Sequence, residues 1–222
     1  MQNIRVSKLI FDNVNLTKAQ THKLRGYIGS KYKEYDLVHN HDLSTGKEIY
    51  RYPLFQFKVI EKKPYIIALG EETTAIFKKM FIDVREINIE GRKIPVYEKQ
   101  LISDICKFGY AGEFITYRFI NPWIALNQDN YKKYKLAESE QQKLEILQRC
   151  LVGNIISVCK GLGYSVENKL KCEIKLKSTI VNLKGNEVMG FTGFFKVNFC
   201  LPDLIGLGKS VSRGYGTIET VL

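Results

Sequence analysis

Two of the chain's three histidines, His39 and His41, stand two positions apart in the polar stretch KEYDLVHNHDLSTGKE, residues 33–48. An imidazole titrates near neutral pH, so it takes up and returns a proton with little penalty. Lys31, Lys47 and Arg51 are close in sequence and suit a phosphate, and Tyr50 can orient a group or donate a proton. Three readings compete. A metal site can take two ligands from an H-x-H pair. It needs a third from elsewhere, with Asp36 or Asp42 nearest and no further histidine in the segment. The letters HNH also name a metal nuclease motif, whose residues lie much further apart. The second reading is a pair of solvated loop histidines. The third is acid–base chemistry on RNA, where the 2′-hydroxyl beside the scissile phosphate is itself the nucleophile. The protein then supplies only a base, an acid and a cation for the crowded phosphorane. His41 or His39 with Lys47 or Lys31 makes such a set without a metal.

A second constellation lies near the C-terminal end. Residues 206–217 read GLGKSVSRGYGT, with Gly206, Gly208, Gly214 and Gly216 in eleven residues. Glycine lets backbone N–H groups approach a partner closely, and Lys209 and Arg213 beside it point to an anion. The GKS triplet does not make a phosphate-binding loop of the G-x-x-x-x-G-K-[ST] type, because Asp203 stands where its first glycine belongs. The dinucleotide fingerprint fails at Val211. A glycine-rich turn feeding an edge strand remains an equally good account.

The whole composition narrows the partners. The 222 residues carry a formal charge of +11 and a sequence pI of about 9.3, with 45% hydrophobic residues. That is a packed globular chain with an excess of cations suited to a polyanion. Five scattered cysteines, Cys106, Cys150, Cys159, Cys172 and Cys200, form no C-x-x-C pair. They read as buried, reduced thiols of a cytoplasmic protein rather than zinc ligands. The first residues, MQNIRVSKLIFDN, hold no signal-type apolar core, and no stretch is apolar enough for a membrane span.

These residues must be positioned by regular elements. IRVSKLIFD alternates as a strand. A helix follows, with Thr17 as N-cap and Leu16, Leu24 and Ile28 on one face. The histidine segment follows as a polar loop. Two strands turn at 61–64, then come a helix over EETTAIFKKMF and a strand within 83–99 turning at Gly91. That order predicts a split βαβ, ferredoxin-like (RRM-like) unit over residues 1–100. Residues 101–222 repeat the pattern: a strand stopping at Pro122, and a helix carrying Leu144, Leu147, Leu151, Ile155 and Val158. Two long strands turn at 184–186, followed by the glycine loop and a closing strand. The expectation is an α+β chain of tandem ferredoxin-like domains, the second with a degenerate second helix and a C-terminal glycine-rich loop.

With these elements in order, GLGKSVSRGYGTIE resembles the C-terminal glycine-rich motif of the CRISPR-associated repeat-RNA endoribonucleases of the repeat-associated mysterious protein superfamily. HNH…YRYPLFQFKVI resembles the catalytic loop and following strand of one branch. The likeness spans the whole chain. Because non-cleaving relatives share the glycine motif, it implies fold and RNA binding, and the histidine loop is the more specific sign of cleavage. The resemblance implies a cytoplasmic, metal- and cofactor-independent enzyme that cuts CRISPR repeat RNA once. The products carry a 2′,3′-cyclic phosphate and a 5′-hydroxyl. It implies His41 as the main acid–base group with His39 second, Lys31 and Lys47 as candidate cations, and Tyr50 as a further site residue. Gly206, Gly208, Lys209, Ser210, Ser212, Arg213, Gly214 and Gly216, with Arg51, would contact RNA. Partners would be repeat RNA and, in an effector complex, other CRISPR-associated proteins, with the chain as a monomer or homodimer and no membrane contact. The alternative is a non-catalytic RNA-binding subunit of a CRISPR ribonucleoprotein. Of Phe191, Phe194, Phe195 and Phe199, alternate positions are expected in the core and others on bases.

Overall fold

The computed structural model describes residues 1–39 and 51–221, with the backbone alone at His39. The elements run β1 (Gln2–Phe11), α1 (Thr21–Lys31), α2 (Asp36–His39), β2 (Phe55–Ile60), β3 (Lys63–Leu69), α3 (Thr74–Asp83), β4 (Glu86–Ile89) and β5 (Arg92–Pro95). They continue with β6 (Lys99–Trp123), α4 (Gln128–Leu136), α5 (Glu140–Gly161), β7 (Cys172–Leu183), β8 (Asn186–Cys200) and β9 (Ile218–Thr220). Two compact units divide the chain inside β6. Asn3–Cys106 with Ser212–Gly214 form the N-terminal unit. Lys107–Val211 with Met1–Gln2 and Tyr215–Leu222 form the C-terminal one. The division falls within a strand, between Cys106 and Lys107.

In the N-terminal unit the strand order is β2-β3-β1-β6. That is the ferredoxin-like order, with the start of β6 as the fourth strand. Ser7 and Ser103 hydroxyls lie 2.9 Å apart and Arg5 Nη1 donates to Ser103 Oγ at 3.3 Å, which fixes β6 beside β1. The fourth strand was expected within 83–99. Those residues instead fold as a separate two-stranded hairpin, β4–β5. Its Ile87, Ile89 and Val96 join the core formed by Leu9, Phe11, Leu24, Ile28, Phe57 and Phe77. Thr17 caps a single 3-10 turn, Lys18–Gln20, through a capping box in which its N–H donates to Gln20 Oε1 at 2.9 Å. α1 starts after that turn, with Gln20 in the N-cap position.

In the C-terminal unit β6 pairs with β8 and β9, and β8 with β7. Between β8 and β9 the described helical structure is one turn, Val211–Arg213. β6 does not stop at Pro122 but runs through to Trp123, because a register shift between Phe119 and Trp123 takes up the residue that cannot donate. Aromatic rings fill the interior: Phe119 stacks on Trp123 with centroids 5.3 Å apart, Tyr117 on Phe195 at 5.3 Å, and Phe108 meets Phe199 edge-on at 5.1 Å. Phe191, Phe195 and Phe199 are therefore core residues, and only Phe194 of the four is exposed. α5 contributes Leu147, Leu151, Ile155 and Val158 to the buried set, while Leu144 is half-buried. α4 was not expected. It buries no residue, and Asn127 caps it by accepting from Asn130 N at 2.7 Å.

Three hairpins turn through two residues at positive φ: Glu61 and Lys62, Glu90 and Gly91, Lys184 and Gly185. This is the primed turn geometry that matches strand twist. Of the cysteines, Cys150 and Cys159 are buried, and burial pushes the Cys159 thiol up to about 12. Cys106, Cys172 and Cys200 are half-buried rather than fully buried as expected. All five are unbridged.

One buried phenol locks β6 to the end of β8. Tyr117 Oη accepts from Leu201 N at 2.9 Å and donates to Phe199 O at 3.2 Å. Tyr117→Phe keeps the ring but orphans the Leu201 N–H. It is expected to destabilise the fold by about 1–3 kcal/mol, read as a lower midpoint in urea unfolding at an unchanged m-value.

Candidate functional site

α1 is the element that leads into the histidine segment. Its last residue, Lys31, is exposed, and its Nζ donates to the carbonyl of Asp83 at the end of α3, 3.0 Å away. Lys99, at the start of β6, donates to Val84 O at 2.9 Å and to Phe81 O. Desolvation first, then the nearby Arg85 and Lys31, pull the Lys99 ammonium below its ordinary value. Three cations, Lys31, Arg85 and Lys99, therefore gather where α3 presents its carbonyl end. Such a helix terminus carries partial negative charge that favours cations. The Asp83 carboxylate accepts from Lys79 at 2.7 Å, which holds it below the usual carboxylate range. Arg85 and Lys99 were not expected from sequence, because they come from elements far apart in the chain.

Arg51 Nη2 pairs with Asp36 Oδ2 of α2 at 3.2 Å, so a side chain expected to hold RNA phosphate has a carboxylate partner. His41, Lys47 and Tyr50 lie outside the described residues, as does the side chain of His39. Among the described residues no three His, Cys, Asp or Glu side chains converge as a metal site; the histidine pair lies outside that set.

The glycine loop is built first by its own backbone. Leu207 N donates to Gly216 O at 2.9 Å, Gly216 N to Pro122 O at 2.8 Å and Lys209 N to Ile124 O at 3.0 Å. Gly216 has φ +62, and a Cβ there would collide with the carbonyl oxygen of Leu207. Gly208, at φ +88, would place a Cβ 2.6 Å from Trp123 Nε1 and 2.7 Å from Ile124 O. At Gly206 a Cβ would come within 2.5 Å of Val211 Cγ1. These glycines are thus required by contacts inside the protein. Lys209 is exposed, and Ser210, Ser212 and Arg213 are half-buried. The loop's tip, Ser212–Gly214, belongs to the N-terminal unit. There a Cβ on Gly214 would lie 3.2 Å from Phe57 O and from Thr21 Cγ2. The tip thus meets the first residue of α1, whereas Lys31 is at the helix's far end, about 15 Å along its axis.

Beneath that tip sits a residue that strand alternation does not foretell. Phe55, Phe57 and Val59 of β2 point into the core, and Lys58 takes the opposite face, fully buried. Its Nζ has no hydrogen-bond partner among the described residues, and burial lowers its ammonium to about 7.

With this geometry in view, the comparisons are specific. Family models for the Cas6b N-terminal and C-terminal domains match residues 2–106 and 109–221. The chain belongs to the Cas6b family. It shares 36% identity with a protein solved as "Crystal structure of Cas6b", at a TM-score of 0.92, covering 99% of this chain and 100% of that one. A second solved structure, described as a CRISPR RNA processing endoribonuclease Cas6b, is 34% identical at a TM-score of 0.78, over 99% and 100% of the two chains. Uncharacterized protein MJ0978 of Methanocaldococcus jannaschii is 40% identical over 144 residues, 64% of this chain and 97% of that protein. A structure described as a RAMP protein binding different RNA substrates, 12% identical at a TM-score of 0.57 over 99% and 100% of the chains, shares the fold.

Lys58 gives the Cas6b chain a pH signature. Between pH 7 and its ordinary value of 10.5 the unfolded chain binds the proton that the folded chain has lost. Stability from this group therefore rises with pH across that window, by at most about 1.4 kcal/mol per unit, and is flat below it. Lys58→Met removes this slope. The variant is expected to be the more stable protein at pH 7, with the gap closing toward pH 10 in paired urea titrations. A gap that stays constant would mean the amine is charged or paired.

Proposed function

We propose that this protein is an endoribonuclease that cuts CRISPR repeat RNA without a metal. The observation that carries the reading is the full-length, 34% identical match to the protein described as a CRISPR RNA processing endoribonuclease. The family assignment over both halves of the chain supports it. So does the charge of +11, which suits a polyanion.

The reaction needs three services. A base takes the proton of the 2′-hydroxyl next to the scissile phosphate. The 2′-oxygen attacks phosphorus, and the bond to the 5′-oxygen of the next nucleotide breaks. An acid returns a proton to that oxygen, which leaves a 2′,3′-cyclic phosphate on one product and a 5′-hydroxyl on the other. His41 and His39 are assigned to the proton transfers. Lys31 and Lys47 are assigned to the developing charge on the phosphorane, and Tyr50 to orienting the phosphate. Arg85 and Lys99, which share the end of α3 with Lys31, extend the positive field in which the phosphate would sit. Lys209, Ser210, Ser212 and Arg213 of the glycine loop are assigned to phosphates away from the cut.

The double variant His39→Ala/His41→Ala should bind repeat RNA about as tightly as the parent while cleavage falls by about 10²–10⁴, measured under single-turnover conditions. Undiminished cutting removes both imidazoles from the mechanism. Binding with no cutting by the parent protein, on the host's own repeat, makes the chain a non-catalytic RNA-binding subunit. A repeat with a single 2′-deoxy nucleotide at the cut should be bound but left whole. Excess EDTA should leave the parent's rate unchanged, with a cyclic phosphate at the mapped product end; inhibition restored by a divalent cation would replace this mechanism with a metal-dependent one.

A further inference from the structure

The C-terminal unit holds two adjoining clefts at the side of the glycine loop. The first, of about 460 Å³, lies between α4, α5 and the loop. Its cations are Lys133, Arg149 and Lys209, and no acidic residue lines it. None of the three makes an ion pair among the described residues. Its amides are Asn127, Asn130 and Asn154. Each amide spends one end on the protein: Asn127 Oδ1 accepts from Asn130 N, Asn130 Nδ2 donates to Cys150 Sγ, and Asn154 Oδ1 accepts from Trp123 Nε1. Two NH₂ groups and one carbonyl oxygen are left over, a mixed donor and acceptor set of the kind a base edge requires.

Gly153 is the most telling lining residue. It lies inside the 22-residue helix α5, where glycine costs about 1 kcal/mol relative to alanine. Nothing lies within 4 Å of where its Cβ would stand, so packing does not demand the glycine. What its missing side chain provides is room in the cleft. The second cleft, of about 290 Å³, shares Asn127 and Lys209 with the first. It is walled by Leu126, Val188 and Met189 and by Tyr131, whose ring is exposed. Glu187 also lines it, so the anionic part of a ligand belongs in the first cleft and the apolar part in the second.

We propose that the two clefts hold successive unpaired nucleotides of the bound RNA. The intervening phosphate lies against Lys209, Arg149 and Lys133, one base edge faces the three asparagines, and the neighbouring base stacks on Tyr131. This rests on the RNA-processing reading above, and it assigns to α4 and α5 a readout that the glycine loop alone cannot supply. Base edges and stacking carry sequence information that phosphate contacts lack.

The test is fluorescence anisotropy of the full chain on the host's repeat RNA across a salt series. Lys133→Ala/Arg149→Ala should weaken binding at least tenfold, and the slope of log K against log salt should flatten by about 0.7 for each phosphate that is no longer neutralised. Tyr131→Leu should weaken binding about tenfold, and Tyr131→Phe should restore it. Gly153→Leu should lower affinity without lowering the melting temperature, a pairing that a merely structural glycine would not give. If the parent binds and cuts while these variants match its Kd and salt slope, the clefts carry no RNA and the processing function stands. If the parent fails to bind repeat RNA at all, both readings fall.

Discussion

The arrangement depends on a backbone approach that only glycine permits. Where Gly216 meets the carbonyl of Leu207, no side chain fits, and the two strands of the loop close on each other through Leu207 N and Gly216 O. The same closure carries Gly216 N onto Pro122 O and Lys209 N onto Ile124 O, which anchors the loop to the end of β6. Once it is anchored, the loop's cation is presented outward from a rigid base. A glycine-rich sequence here therefore serves the fold before it serves a ligand. The cationic side chains left to reach an anion are Lys209, which is exposed, and Arg213, which is half-buried.

That ordering of roles explains which parts of the chain could be read in advance. The long period of α5 and the alternation of β7 and β8 are local signals, and the structure follows them. The stretch 83–99 shows why alternation alone is not topology. Ile87 and Ile89 suit a sheet's fourth strand and a flanking hairpin equally, and the choice is made by the pairing of Ser7 with Ser103, which no window of sequence contains. α4 escapes for the opposite reason. It buries nothing, so it has no apolar period; its signals are the Asn127 cap and a run of lysines and tyrosines. Lys58 breaks the rule that an inward strand position is apolar, and only the burial of both faces of β2 reveals it.

The site divides along the same line. The position of Lys31 at the end of α1 was legible, because a lysine ending a helix before a polar segment is a local fact. Arg85 and Lys99, the asparagine triad and Gly153 were not, since each gains meaning only beside residues brought from elsewhere. The Arg51–Asp36 pair was hidden because an arginine that follows a polar segment reads as free for phosphate until its carboxylate partner is seen.

Lys31 also carries an energetic argument. Its ammonium donates to the carbonyl of Asp83 and so serves as a ligand to the terminus of α3. A solvent-exposed contact of this kind is worth about 1 kcal/mol or less, and Lys99 already holds the neighbouring carbonyls of Phe81 and Val84. The helix end therefore stays capped if Lys31 leaves it. A phosphate oxygen carries full rather than partial charge and forms the stronger charge-assisted bond. On the proposed reading, Lys31 can therefore exchange the Asp83 carbonyl for a phosphate oxygen while Lys99 keeps the end of α3 capped.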